Sequence, residues 1–260
     1  MSIGIPTKIN QLMYFQSLGV VFQSNWLKAE GYSYALQKRY RKSRWLKSIG
    51  TGAMIRDGDK VGYEGGIYAL QNQSGLSIHP GGRTALAYLG KAHYLEMETK
   101  RVTVFGSRGE KLPFWFEKYD WGVVIDYYQT SFLPKGLGLT DVKVKEFHIR
   151  ISGAARAMME CLYLAPEKQD FIECYELMEG LNNLRPDEVQ TLLEKCESVK
   201  VKRLFLYLAD KAGHNWFKYL NLTGIDTGKG KRSIVKGGVY VERYQITVPK
   251  ELENNDQGSL

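Results

Sequence analysis

No apolar run in the 260 residues approaches the roughly 20 that a bilayer-spanning helix needs, so no membrane anchor is expected. The N-terminus carries neither the basic nor the apolar region of a signal peptide, and a cytoplasmic location is expected. Cysteine is scarce. Cys161, Cys174 and Cys196 are odd in number and form no CxxC pair, which argues for reduced structural thiols rather than a disulfide framework. The four histidines, His79, His93, His148 and His214, show neither HExxH nor close pairing, so each is expected to be a packed or surface residue rather than a metal ligand. GxSxG is absent, and no Ser–His–Asp order can be defended. Proline and glycine show no bias of the kind that marks disorder. With 43% hydrophobic and 25% charged residues, the chain has the composition of a globular protein of one to two domains.

Charge is unevenly spread. The net charge is +8, yet residues 1–90 hold eleven Lys and Arg against four Asp and Glu. The other 170 residues hold 25 against 24, so nearly all the excess lies in the first third. An excess confined to one segment points to a polyanionic partner.

Local signals in that segment follow the order of a helix-turn-helix. Thr7 caps a helix through Leu18, with Ile9, Leu12, Met13 and Phe15 expected on its apolar face and Gly19 at its end. Val20, Val21 and Phe22 form a short apolar stretch. Ser24 caps a short helix, 25–30, that Gly31 ends, and Ser33 caps a third that runs to about Ser43. In this third helix Leu36 and Tyr40, with Ala35, are expected to face inward. Tyr34, Gln37, Lys38, Arg41 and Lys42 are expected to face outward, flanked by Arg39 and Arg44. From Lys38 to Lys47 there are six cations and no acid. A solvated helix normally mixes signs, so this face fits phosphates and base edges. Residues 45–49 and 53–56 then read as two strands around Gly50-Thr51-Gly52, a wing whose small tip, including Thr51, can approach a sugar-phosphate backbone. Helices are expected at 66–73 and 83–89, with a linker through Pro80 between them. Arg83 and His79 either approach DNA or cap that linker.

The segments SYALQKRYRKSRWLKSIGTGAMIR and GGIYALQNQSGLSIHPGGRTALAYLGKAHYL resemble the AbiEi family of antitoxins and transcriptional regulators. Further on, VFGSRGEKLPFWF, ISGAARAMMECLYL, VKRLFLYLADKAGHNWFKYL and GGVYVERYQITVP are similar to that family's C-terminal domain. The resemblance spans roughly residues 7 to 250 and implies a bacterial type IV toxin–antitoxin system. It implies an N-terminal winged helix that represses its own operon at inverted repeats, and a C-terminal domain that counters a nucleotidyltransferase-like toxin. No stable complex with that toxin is implied. The recognition helix falls on 33–43 and the wing tip on 50–52.

The rest reads as sheet followed by helices. RVTVFG, LPFWF, WGVVIDYYQ and KVKEFHIRI are expected as strands, and helices at 153–164, 167–181, 186–197 and 200–212. A helical turn is expected at 214–220, a late strand at 238–248, and a frayed tail at 251–260. The aromatics Phe114, Trp115, Phe116, Trp121, Trp216 and Phe217 are expected in the core. The run GIDTGKGK has three residues between its first two glycines and glycine after Lys229, so it is no Walker motif and reads as a flexible basic loop. That loop, with Lys229, Lys231, Arg232 and Lys236, is a second candidate for contact with nucleic acid. Asp126 followed by Asp141-x-Lys143 is the carboxylate and DxK pattern of a metal-dependent nuclease, but Ile125 stands where proline is customary.

The expected fold is therefore α+β, an N-terminal winged helix-turn-helix (1–90) followed by a larger mixed α/β domain (91–250). The expected function is a non-enzymatic DNA-binding repressor and antitoxin without cofactor, two copies of which meet on an inverted repeat.

Overall fold

The computed structural model describes residues 7–91 and 101–254. His93 and the last residues of the expected tail, 255–260, lie outside them. Elements follow in the order α1 (Lys8–Phe15), β1 (Phe22–Gln23), α2 (Ser24–Ala29), α3 (Tyr34–Lys42), β2 (Leu46–Gly50), β3 (Ala53–Arg56), α4 (Tyr63–Asn72), β4 (His79–Pro80) and α5 (Gly82–Tyr88). After the undescribed residues come β5 (Arg101–Ser107), α6 (Phe114–Lys118), β6 (Val124–Thr130), β7 (Leu139–Val144) and β8 (Phe147–Ser152). The chain continues through α7 (Ala154–Leu164), α8 (Phe171–Glu179), α9 (Pro186–Lys195) and α10 (Val199–Lys211), with a 3-10 turn at Asn215–Tyr219. It closes with β9 (Arg232–Ser233), β10 (Val239–Val241), β11 (Ile246–Val248) and α11 (Lys250–Asn254). Among the described residues, no helix is long and apolar enough to cross a membrane.

Two compact units result, and they interleave along the chain. One takes residues up to 79 with 100–129 and 141–150, the other 80–99, 130–140 and 151–260. The chain thus passes between them five times, whereas the segments 1–90 and 91–250 expected from sequence are each continuous.

In the first unit β1, β3 and β2 form a sheet in that order, with Phe22 opposite Met54 and Leu46 opposite Arg56. Its core is Val20, Val21, Phe22, Leu27, Leu46, Met54, Ile67 and Leu70, all buried. In the second unit α7 is the hub on which α5, α8, α9 and α10 pack. Its side chains are buried almost all round, as a central helix requires.

A buried ionic cluster lies inside that hub. Glu160 accepts hydrogen bonds from Arg156 Nε (2.9 Å), Ser152 Oγ (2.7 Å) and the Gly82 amide (2.9 Å). Arg156 in turn donates through Nη1 to the carbonyls of Pro134 (3.0 Å) and Leu137 (2.5 Å). Both charges are desolvated but fully partnered, the condition under which such a pair is tolerated. The three thiols are buried and free, and burial pushes Cys196 up to about 11 and the other two upward as well, so they remain neutral.

Several local expectations change. LPFWF is not a strand: Pro113 occupies the N-cap of α6, and Phe114, expected in the core, is 65% exposed. KVKEFHIRI turns back on itself at Lys145 (φ +54°), giving the hairpin of β7 and β8. The late strand is likewise a hairpin, β10 against β11, reversed at Gln245 (φ +51°). The helix expected from 167 starts only at Phe171, because Asp170 caps the amides of Ile172 and Glu173. The tail is helical to Asn254, held by Leu252, which is wholly buried.

The Arg156–Glu160 pair makes a quantitative prediction. Arg156→Met should lower unfolding free energy by about 3–5 kcal/mol, since it strands a buried carboxylate, and urea denaturation would measure it.

Candidate nucleic-acid interface

The first unit presents α3 as a ridge of cations over an anchored base. Thr7 caps α1 and Ser33 caps α3, the latter accepting from the Leu36 amide at 3.3 Å. Between α2 and α3, Gly31 takes φ +85°, and the Tyr32 amide donates back to the Leu27 carbonyl at 2.8 Å. Tyr32 is buried beneath this turn, and its hydroxyl donates to the Lys8 carbonyl.

Gln37 departs from expectation. It is 1% exposed, and its Nε2 donates to the carbonyls of Ser24 (2.9 Å) and Tyr32 (2.8 Å). A carboxamide has two donor hydrogens, and both are used to hold α3 against the start of α2 and the turn. It therefore faces away from solvent with Tyr40, which is also buried, while Ala35 is exposed and Leu36 half-buried.

The outward residues are Tyr34, Lys38, Arg39, Arg41, Lys42, Arg44 and Lys47, all exposed. The Tyr34 hydroxyl is 2.8 Å from Asn25 Oδ1, and Lys28 Nζ lies 5.1 Å from its ring centroid. Arg41 Nη1 lies 3.8 Å from Met54 Sδ, a contact that holds the guanidinium beside the hairpin. Arg44 ends the helix in the left-handed region (φ +56°), and Trp45 follows, its amide donating to the Tyr40 carbonyl at 2.9 Å. This reversal leads directly into β2.

β2 and β3 form an antiparallel hairpin with a register irregularity at Ser48/Gly50 and a tip at Thr51-Gly52, both exposed. Gly52 has φ +86° and open space where a side chain would begin. Its carbonyl accepts from the Ser24 amide at 2.8 Å, which ties the tip to the first residue of α2. Arg56, also on the hairpin, turns inward and donates through Nη2 to the carbonyls of Met13 and Gln16, so it adds nothing to the outer face.

Sequence reasoning missed the hairpin's support. A Cβ on Gly50 would stand 2.9 Å from Trp115 Cβ, so α6 presses directly on the hairpin. Trp115 is buried in an aromatic cluster with Phe116 and Trp121, whose indole donates to the Phe116 carbonyl at 2.8 Å. The pairing of a glycine at the end of β2 with a run of aromatics some 65 residues later leaves no local signal.

Other candidate groups lie elsewhere. His79 is buried, its Nδ1 2.6 Å from the Ser77 carbonyl, and Arg83 pairs with Glu173 at 2.9 Å. His214 is buried with Nε2 2.7 Å from the Met178 carbonyl, and His148 is exposed. Asp126 is held by both Arg101 Nε (2.9 Å) and Nη2 (2.7 Å), which raises the pKa of that arginine. Asp141 and Lys143 are exposed on β7. Among the described residues, no three His, Cys, Asp or Glu side chains come together as a metal site.

Residues 99–249 match the family model described as transcriptional regulator, AbiEi antitoxin, type IV toxin–antitoxin system, and residues 6–97 match the model of its N-terminal domain. The chain belongs to the AbiEi family. It is thus a transcriptional regulator and antitoxin of a type IV system, and this is a family of regulators, not of enzymes. No curated protein matches. Among solved structures, the crystal structure of RV2827C protein from Mycobacterium tuberculosis is similar, with a TM-score of 0.60 and 14% identity over 96% of this chain and 93% of that one. At that identity the similarity establishes the fold alone.

Two substitutions separate charge from shape in this AbiEi chain. Arg44→Gly relieves a left-handed side-chain residue, so stability should hold or rise by up to about 1 kcal/mol. Duplex affinity should nonetheless fall, with the slope of log K against log salt shallower by about 0.9 if one phosphate contact is lost. Gly50→Ala forces the hairpin away from Trp115 and should weaken duplex binding while leaving the outer charges unchanged, as anisotropy titration would show.

Proposed function

We propose that residues 7–56 act as a winged helix-turn-helix that places α3 in the major groove of operator DNA. The carrying observation is the row of exposed cations without an intervening acid, Lys38, Arg39, Arg41 and Lys42 on a helix fixed from behind by Gln37 and Tyr40, and Arg44 and Lys47 on the turn and strand that follow it. Lys38, Arg39, Lys42 and Lys47 supply phosphate contacts, and with them the salt-sensitive part of the affinity. Arg41 and Tyr34 read base edges, Arg41 by reaching the O6 and N7 of guanine together. Ser33 sits at the N-terminal edge of this face, and Thr51 at the tip of the wing meets the sugar-phosphate backbone. Gln37 no longer belongs among the readers, because its amide is spent inside the fold.

Two copies on an inverted repeat would set their recognition helices about one helical turn apart, and occupancy of that site represses the protein's own operon. The remainder of the chain counteracts a nucleotidyltransferase-like toxin without forming a stable complex with it. This part of the reading rests on family membership.

The deciding experiment compares the operator with variants changed at each base pair. Arg41→Ala should cost about 1–3 kcal/mol on the native operator and flatten the preference at one base pair. An equal loss on every sequence would assign Arg41 to phosphate instead. Binding that ignores salt and duplex competitor would overturn the DNA reading altogether.

A further inference from the structure

The second unit carries another basic face, at the small sheet of order β10-β11-β9. From Thr227 to Val241 the chain has four cations, Lys229, Lys231, Arg232 and Lys236, and no acid. All four are exposed. The expected basic loop is tied at several backbone points to a buried side chain. Buried Arg203 of α10 donates from Nε to the Thr227 carbonyl (2.8 Å), from Nη1 to those of Gly230 (2.7 Å) and Gln245 (3.0 Å), and from Nη2 to that of Gly228 (3.0 Å). Asp226 Oδ1 accepts from the Gly228 amide at 2.8 Å. One guanidinium thus fixes the backbone on both sides of the lysines. Its carbonyl partners are neutral, so its charge adds to theirs. Burial, with a smaller contribution from Arg232, pulls the Arg203 pKa below the ordinary value.

The sheet also carries an aromatic ring that one of these cations reaches. Tyr240 lies opposite Thr247, and Thr247 lies opposite Ser233, so the three share one face. Tyr240 is 37% exposed on that face, and Lys231 reaches across to put Nζ 4.8 Å from its ring centroid. An exposed ring with a cation beside it, on a sheet whose neighbouring turn carries further cations on a held backbone, suits a single strand, with phosphates on the lysines and a base on the ring. The exchange is favourable in magnitude. A base stacked on an aromatic ring is worth more than an exposed cation–π contact. Lys231 can therefore leave the ring for a phosphate while a base takes its place.

We propose that Tyr240, Lys229, Lys231, Arg232 and Lys236 form a binding site for single-stranded nucleic acid, separate from the operator-binding face. The proposal goes beyond the operator reading and stands or falls without it. An acidic protein surface is the competing occupant, but it would use the charges and leave Tyr240 idle.

The test is fluorescence anisotropy on the full chain with labelled 16-nucleotide RNA and DNA single strands, alongside operator duplex. Wild type should bind the single strands, the RNA and DNA arms showing whether the 2′-hydroxyl is read. Combined alanine substitution of the four cations should weaken that binding at least tenfold. Tyr240→Ala should weaken it about fivefold or more and Tyr240→Phe little, with operator affinity unchanged in all three. Lys38→Ala with Lys42→Ala should do the reverse. If the combined variant fails to fold, Lys231→Glu alone should show the same direction of loss. Failure of wild type to bind either strand would overturn the proposal. So would loss confined to the Lys38/Lys42 variant, or indifference to Tyr240→Ala together with equal displacement by polyglutamate.

Discussion

A helix that carries Lys38, Arg39, Arg41 and Lys42 with no acid works against its own folding. Lys38 and Lys42 are one turn apart, as are Lys38 and Arg41, and like charges at those spacings destabilise a helix by a few tenths of a kcal/mol each. Nine residues are also too few for a helix to persist alone. Its stability must therefore come from the inner face, and Gln37 and Tyr40 supply it. Two hydrogen bonds from one carboxamide, each worth about 1 kcal/mol, are comparable to the summed repulsion they oppose. The outer charges can then be concentrated without loss of order.

The same anchoring extends through the hairpin. The Gly52 carbonyl accepts from the first amide of α2, the Trp45 amide bonds to Tyr40, and Gly50 lies against Trp115. Helix, turn and hairpin thus share partners, and a displacement of one strains the others. Trp115 belongs to the stretch matched by the C-terminal family model, yet it lies in the compact unit of α3 and the hairpin. Division of the chain near residue 98 by homology and its division by contacts are consequently different. A truncation placed at the homology border would remove α6 and leave Gly50 facing open space. The charged helix would be intact in sequence but no longer backed.

Much of this was legible in the residues. Thr7, Ser33 and Gly31 marked helix starts and stops because capping and positive φ are local demands that few residue types meet. The hairpin followed from Gly50-Thr51-Gly52 for the same reason. Gln37 was misplaced because polarity was taken as a sign of exposure, whereas the turn before α3 leaves carbonyls that only an inward donor can satisfy. LPFWF was misplaced because a short aromatic run carries no period, and Pro113 at the cap decided for helix. Arg44 at φ +56° followed no propensity, since its conformation is set by the reversal from α3 into β2.

Arg203 repeats, with a charged group, what Gln37 does with a neutral one. Each is a buried donor in a helix whose hydrogen bonds end on the carbonyls of a neighbouring turn, and each leaves exposed cations on the far side. The energetic difference is instructive. Gln37 adds order at no electrostatic cost, but Arg203 brings a desolvated charge, for which four carbonyl acceptors compensate. An amide could not take its place, since a carboxamide has two donor hydrogens and Arg203 serves four carbonyls. The guanidinium is therefore what the geometry of the turn demands, and its charge adds to the positive potential of the lysines beside it.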